Sequence, residues 1–333
     1  MKIYLAGDSI VQNYEKEEFI AGWGQFLRFF IKDGVEVVND AKGGRSSRLF
    51  INEGRFDNIE KNISAGDYLL IEFCHNDDAS KEYKTMFNRL TPLGEPDSDG
   101  RFPIIPGEAM PKDYIPPEYI DALRKDENVK DKQAVLDSVY KILESYPHDT
   151  YYPYSADGSK GTYLWFLKQF VDMAREKGAV PVFVTAPART VYDANGNIKD
   201  GAGLHGGNNF AYIRAMKQLG EEAKVPVIDL FAYSCGLYKQ IGKEKIHWIT
   251  SIKKGCNKGI WPDDFNSEMQ KKETVSEDTH FNKYGAMLIT QGLVKLIKES
   301  DSSQLDGLKG MLKNPDGIDI EKYVKKPLVF EEF

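Results

Sequence analysis

Four short segments carry side chains suited to acyl transfer. Gly7-Asp8-Ser9-Ile10 follows an apolar run and offers a hydroxyl. Asn39-Asp40-Ala41-Lys42-Gly43-Gly44-Arg45-Ser46-Ser47 offers paired glycines, where a carbonyl oxygen can come close to bare backbone. Phe73-Cys74-His75-Asn76-Asp77 offers a carboxamide, and Glu277-Asp278-Thr279-His280-Phe281 an imidazole beside two carboxylates. Each segment alone has a plainer reading: a turn, a tight turn, a cap for the next element, a surface or capping histidine. Together they hold a nucleophilic hydroxyl, a base, an orienting acid and oxyanion donors, the parts that acyl transfer to serine requires. In that scheme Ser9 attacks and His280 is its base. The backbone N–H groups of Ser9 and Gly44 and the Asn76 amide receive the oxyanion.

The scheme needs a fold that brings residues 9 and 280 together. Apolar, β-rich runs predict strands at Ile3–Ala6, Val35–Val38, Tyr68–Phe73, Val180–Val184 and Val225–Asp229. Helical spacing predicts helices over 22–32, 162–177, 208–223 and 283–298. Strands alternating with helices predict an α/β fold: a parallel sheet with helices on both faces. Five strands suit the flavodoxin-like order 2-1-3-4-5, whose switch point lies between the first and third strands. Ser9, Gly44 and Asn76 each follow one of the first three strands, so they converge there.

The stretch from about 78 to 160 breaks the alternation and is rich in Pro, Gly, Asp and Tyr. A structureless loop of that length is improbable in a compact domain. Residues 116–125 and 130–145 can supply short helices, with Val135, Val139, Ile142 and Leu143 at helical spacing. The expectation is a single domain over 1–333 carrying this insertion beside the strand ends, near Ser9. Tyr114, Tyr119, Tyr151, Tyr152 and Tyr154 either line a cleft or anchor the insertion to the body. Anchoring is the favoured role for most of them.

Composition bounds the function. With 333 residues, 41% hydrophobic and 12% aromatic, the chain can bury a real core, which excludes global disorder. A net charge of -7 argues against a nucleic-acid partner, which would require a basic face. No apolar run is long enough to span a bilayer, so no membrane association is expected. Cys74, Cys235 and Cys256 form no paired motif. The histidines show no metal-ligand spacing, so neither metal nor cofactor is expected. A first strand opening at Met1-Lys2-Ile3 leaves no room for a signal peptide, so the expected location is the cytoplasm, or outside the cell if a leader has been removed.

The four blocks resemble those of the SGNH (GDSL-like) hydrolases, a superfamily called after its Ser, Gly, Asn and His. Within it, the closest likeness is to the rhamnogalacturonan acetylesterase-like enzymes, carbohydrate esterase family 12. Gly22-Trp23-Gly24-Gln25, Asn39 to Arg48, Glu53-Gly54-Arg55 and Thr279-His280-Phe281-Asn282-Lys283-Tyr284-Gly285-Ala286 look like that subgroup. The resemblance implies a three-layer α/β/α sandwich and metal-free hydrolysis of acyl esters. It places nucleophile, oxyanion groups and base at Ser9, Gly44, Asn76 and His280. Two positions depart from its pattern. Cys74 stands where glycine is usual, and a buried strand-end cysteine acts as a small hydrophobe rather than a nucleophile. Glu277 stands where the acid, usually Asp, precedes the histidine by three, with Asp278 as the alternative. If that segment turns, Glu277 reaches the imidazole Nδ1 and the immediate neighbour points away. The substrate implied is an acetylated plant cell-wall carbohydrate, of pectin rhamnogalacturonan or xylan type. A lipase- or thioesterase-like relative and a carbohydrate-binding pseudoenzyme are the alternatives. Arg45, His75, Trp248 and Trp261 are further candidates for substrate contact, the tryptophans by stacking on a sugar ring.

Overall fold

The computed structural model describes residues 1–15, 20–78, 89–151, 157–199, 209–252 and 276–324. β1 (Lys2–Gly7) is buried from Ile3 onward and leads into the turn that holds Ser9. β2 (Glu36–Asn39) is followed by the glycine loop, then α1 (Ser47–Asn52), capped by the Ser46 hydroxyl, and α2 (Arg55–Asn62). β3 (Tyr68–Glu72) is buried throughout. The insertion follows, with β4 (Ala109–Met110), α3 (Pro117–Lys125), α4 (Lys132–Glu144) and β5 (Thr150–Tyr151). The alternation resumes with α5 (Tyr163–Glu176), β6 (Val180–Val184), α6 (Asn209–Ala223), β7 (Val227–Ile228) and α7 (Leu230–Ile241). β8 (Thr250–Ile252), β9 (Ser276–Phe281), α8 (Lys283–Glu299) and α9 (Asp306–Met311) complete the described elements.

The main sheet runs β2-β1-β3-β6-β7 with every pair parallel. Counted along the sheet, this is the 2-1-3-4-5 order expected from the sequence. Because successive side chains leave a strand on opposite faces, each strand feeds two cores. Ile3, Leu5, Leu70, Val182 and Val184 meet Leu230 and Tyr238 of α7 and Ile289, Leu293 and Ile297 of α8. Tyr4, Ala6, Leu69, Ile71 and Phe183 meet Phe50, Ile59, Phe170 and Met216 of α1, α2, α5 and α6. Helices thus cover both faces of the sheet, the α/β/α sandwich. No helix among the described residues is long and apolar enough to cross a membrane.

Residues 22–32 do not form the expected helix. They make two 3₁₀ turns, Trp23–Gln25 and Leu27–Phe29, although Trp23, Phe26, Leu27, Phe30 and Ile31 are all buried as their spacing required. The backbone is drawn instead to the serine turn. The Trp23 N–H donates to the Ile10 carbonyl at 2.7 Å, and a side chain at Gly24 would meet the Val11 carbonyl. The last strand of the sheet is shorter than expected, since Pro226 has no N–H to give and Val225 N–H turns back to Gly220.

The insertion has a small core of its own, Tyr119, Leu123, Val139, Leu143 and Tyr146. Its ends are tied to the body. Thr91 N–H donates to the Asp77 carbonyl, the Arg48 guanidinium to the Leu90 carbonyl, and Tyr163 N–H to the Pro92 carbonyl. Tyr151 packs edge-on against Trp165 and Phe166, which is anchoring, while Tyr114 is exposed. Tyr152 and Tyr154 lie outside the described residues.

Candidate active site

The turn after β1 is closed from within. The Asp8 carbonyl accepts from Val11 and Gln12 N–H, and its Oδ1 accepts from Ile10 N–H at 2.9 Å. This leaves the Ser9 side chain at the end of the strand, 9% exposed, with its Oγ 2.7 Å from His280 Nε2. A hydroxyl at that distance can pass its proton to the imidazole. β9 carries His280 to Ser9 because its neighbours bind to the segment after the serine turn and to the loop after β6. Phe281 accepts from Ala21 N–H at 2.9 Å, and Thr190 N–H donates to the Asp278 carbonyl at 2.8 Å. Asn282 then caps α8 by accepting from Gly285 N–H, and its amide donates to the Trp248 and Thr250 carbonyls.

The glycine loop lies over the serine. Gly43 N–H donates to Gln12 Oε1, Lys42 N–H donates to the Gly7 carbonyl, and a Cβ at Gly43 would stand 3.4 Å from Ser9 Cβ. Gly44 has φ +80, which other residues adopt only with strain, and the space where its Cβ would project is open. From the third strand, Asn76 places its carboxamide between two partners. Its Nδ2 donates to Asp8 Oδ2 at 3.0 Å and its Oδ1 accepts from Arg89 Nη1 at 3.0 Å. One amide proton remains available for a substrate oxygen.

A cleft of about 310 Å³ opens beside Gly44, lined by Arg45, Arg89 and, from the insertion, Ile142 and Tyr146. Arg45 sits on its wall but is engaged: Nε binds Glu53 at 2.9 Å and Nη1 donates to the Gly43 carbonyl. His75 is buried, with Nε2 3.0 Å from the Pro187 carbonyl, so it joins two strand-end loops rather than facing substrate. Trp248 is likewise core, packed with Ile246 and Ile249, and offers no open face to a sugar. Trp261 lies outside the described residues, as does the side chain of Glu277. β9 is extended through Ser276–Phe281, which corrects the expectation of a turn before His280. Asp278 is occupied elsewhere: its Oδ1 accepts from the Thr279 hydroxyl at 2.9 Å and faces Arg189 at 3.9 Å.

Below the site lies a layer of buried carboxyls. Burial pushes Asp8 up to about 6, against the opposing pull of the Ile10 N–H and the charges of His280 and Arg189. Burial also raises Asp77 to about 7, although Ser47 donates to it through both N–H and hydroxyl. Glu72 is raised well above the carboxylate range by burial and by the negative charges of Asp8 and Asp77. Its two oxygens have no hydrogen-bond partner among the described residues, as suits a neutral acid. Burial likewise holds Cys74 as a thiol, which makes it inert as a nucleophile.

These carboxyls give stability a definite pH slope. Unfolded, Asp77 titrates near about 3.9. Its contribution is therefore fully present below that value and is lost as pH rises through its folded value of about 7. Asp77→Asn keeps an acceptor for Ser47 and cannot ionise. Denaturant melts should show the stability of wild type minus that of the variant falling between about pH 5 and about pH 8. A difference that stays constant between the two would mean that Asp77 does not hold its proton in the native state.

Arg89, Gln12 and Tyr14 escaped the sequence reading; the Tyr14 hydroxyl donates to the Ser9 carbonyl at 3.0 Å. Gln12 and Tyr14 follow the serine turn closely enough to have been suspected. Arg89 carries no local signal, because no motif or periodic element surrounds it in the insertion.

A parallel sheet of this order, with Ser, Gly and Asn after its first three strands and a histidine bound to the serine, is the architecture of an SGNH hydrolase. No family model matches the chain. It is 30% identical over 300 residues to rhamnogalacturonan acetylesterase RhgT of Bacillus subtilis, covering 90% of each chain. It is also 30% identical over 298 residues to the probable rhamnogalacturonan acetylesterase YesY of that organism, covering 89% of this chain and 92% of YesY. The chain belongs to the rhamnogalacturonan acetylesterase family. Among solved structures, Bacillus subtilis YxiM shares the fold with a TM-score of 0.54 at 20% identity, over 91% of this chain and 57% of that one.

Proposed function

We propose that the protein is a serine esterase that removes O-acetyl groups from plant cell-wall carbohydrate, of pectin rhamnogalacturonan or xylan type. Ser9 Oγ attacks the ester carbonyl while His280 takes its proton, forming a tetrahedral intermediate. The oxyanion rests on the N–H groups of Ser9 and Gly44 and the amide of Asn76. Collapse breaks the bond to the sugar oxygen, which receives the proton from His280, and leaves acetyl-Ser9. Water, deprotonated by His280, then releases acetate and restores the serine. The observation that carries this reading is the 2.7 Å contact between His280 Nε2 and Ser9 Oγ at the strand ends. The two relatives that match along most of the chain, both named for rhamnogalacturonan deacetylation, support the substrate class.

The test is acetate release from a panel of acetylated pectins, xylans and their oligosaccharides, with rhamnogalacturonan expected among the best substrates. A burst of leaving group from an activated acetyl ester, equal to the enzyme concentration, marks the acyl-Ser9 form; a pseudoenzyme gives none. Short acyl groups should be preferred, because the cleft is small and bordered by arginines. Acetyl esters should turn over more than about tenfold faster than octanoyl esters. Faster octanoyl turnover would place the protein with the lipase-like enzymes.

A further inference from the structure

We propose that Arg89 is a positioning residue of the oxyanion hole, holding the Asn76 carboxamide so that its N–H rather than its oxygen meets the substrate. The proposal rests on the reading of Asn76 as an oxyanion donor. A carboxamide is nearly symmetric in shape, and a half-turn exchanges an acceptor oxygen for a double donor. Facing an oxyanion, the wrong face repels. What decides the orientation is therefore the demand of the partners behind the group. Asp8, on the Nδ2 side, is a carboxyl that can accept or donate according to its proton. Arg89, on the Oδ1 side, can only donate. The arginine thus forces one orientation whatever the proton on Asp8, and its guanidinium on Oδ1 also polarises the amide toward a stronger N–H donor.

Arg89 is well placed for this duty. Asn76 is 5% exposed, so water cannot easily substitute for a lost partner. The arginine's backbone is fixed on its C-terminal side, where Leu90 accepts from Arg48 and Thr91 donates to Asp77. Its side chain also forms part of the cleft wall beside Gly44. The insertion therefore delivers one residue to the catalytic centre itself, not only a rim around it.

The experiment uses p-nitrophenyl acetate, too small to need sugar contacts, and compares Arg89→Met, Arg89→Lys, Asn76→Ala and the Asn76→Ala/Arg89→Met double variant. Asn76→Ala should lower kcat by about 10²–10³-fold. Arg89→Met should lower it by about 10-fold or more with KM nearly unchanged, and Arg89→Lys, which keeps a donor, should recover part of the loss. In the Asn76→Ala background Arg89→Met should cost less than about twofold, because the group it positions is gone. Thermal melts identify any variant that fails to fold. Arg89→Ala with added methylguanidinium supplies a second reading, with kcat restored in that variant but not when Asn76 is also alanine. Additive losses, or an Arg89→Met effect confined to KM on carbohydrate esters, would overturn the proposal while leaving Asn76 as a donor. Wild-type kcat in Asn76→Ala would overturn both, since Arg89 would then have nothing to position.

Discussion

Ser9→Ala should lower kcat for acetyl ester hydrolysis by about 10⁶-fold, with little change in KM. The hydroxyl is the group that bonds to the acyl carbon, and Cys74, the neighbouring thiol among the described residues, does not replace it, being buried and held protonated. His280→Ala should be nearly as damaging, because an unactivated hydroxyl is a poor nucleophile at neutral pH. The double variant should lose no more than either single one, since the two residues act as one unit across their 2.7 Å contact. Ser9→Ala removes a single oxygen from a turn whose backbone hydrogen bonds stay in place, so thermal unfolding should be unchanged within a few degrees. Retention of a stoichiometric burst by Ser9→Ala would show that the acyl group is carried elsewhere. Independent, multiplying losses in the double variant would show that Ser9 and His280 are not coupled.

Glu277→Gln should lower kcat by up to about 10⁴-fold, and Asp278→Asn should be much milder. The acid fixes the imidazole tautomer and steadies the imidazolium, and an amide of the same shape does neither. Two carboxylates precede His280; with the segment extended rather than turned, the choice between them rests on the engagement of Asp278 alone. Asp278 accepts from Thr279 and faces the buried Arg189, so its charge already has a structural partner. Asp278→Asn should accordingly show its effect as a lowered melting temperature. Steady-state kinetics of both variants, with melts alongside, settle the assignment. Collapse of activity in Asp278→Asn with Glu277→Gln near wild type would give the role to Asp278.

The sheet was legible because strands covered on both faces read as unbroken apolar runs. Tyr68–Glu72 and Val180–Val184 stand out for that reason, and the alternation on either side of the insertion leaves few orders for them. The insertion helices were legible by spacing, close to the observed Pro117–Lys125 and Lys132–Glu144. Spacing failed over 22–32, where it correctly foretold which side chains are buried but not the backbone between them. Contacts with Ile10 and Val11, far off in sequence, decide that path. α7 is not among the expected helices although Asp229 caps it, because Val225–Asp229 reads as one strand and hides the cap within it. In the site, Ser9, Gly44, Asn76 and His280 were legible as types at strand ends. Arg89, His75 and Trp248 were not, because their places follow from three-dimensional neighbours that no spacing encodes. Trp248 is the plainest case: a tryptophan in a polar connection looks free to stack on a sugar, yet it fills the core under α8.

The contact between Ser9 and His280 joins residues 271 positions apart. On the ribosome the nucleophile emerges 271 residues ahead of its base. Until β9 reaches Ala21 and α8 lays its Thr290 hydroxyl on the Trp23 carbonyl, the serine is an ordinary alcohol. Each nascent chain is therefore chemically silent until β9 has been made and docked. Closing so long a loop is also slow to nucleate, so recovery of esterase activity should be among the last events of refolding.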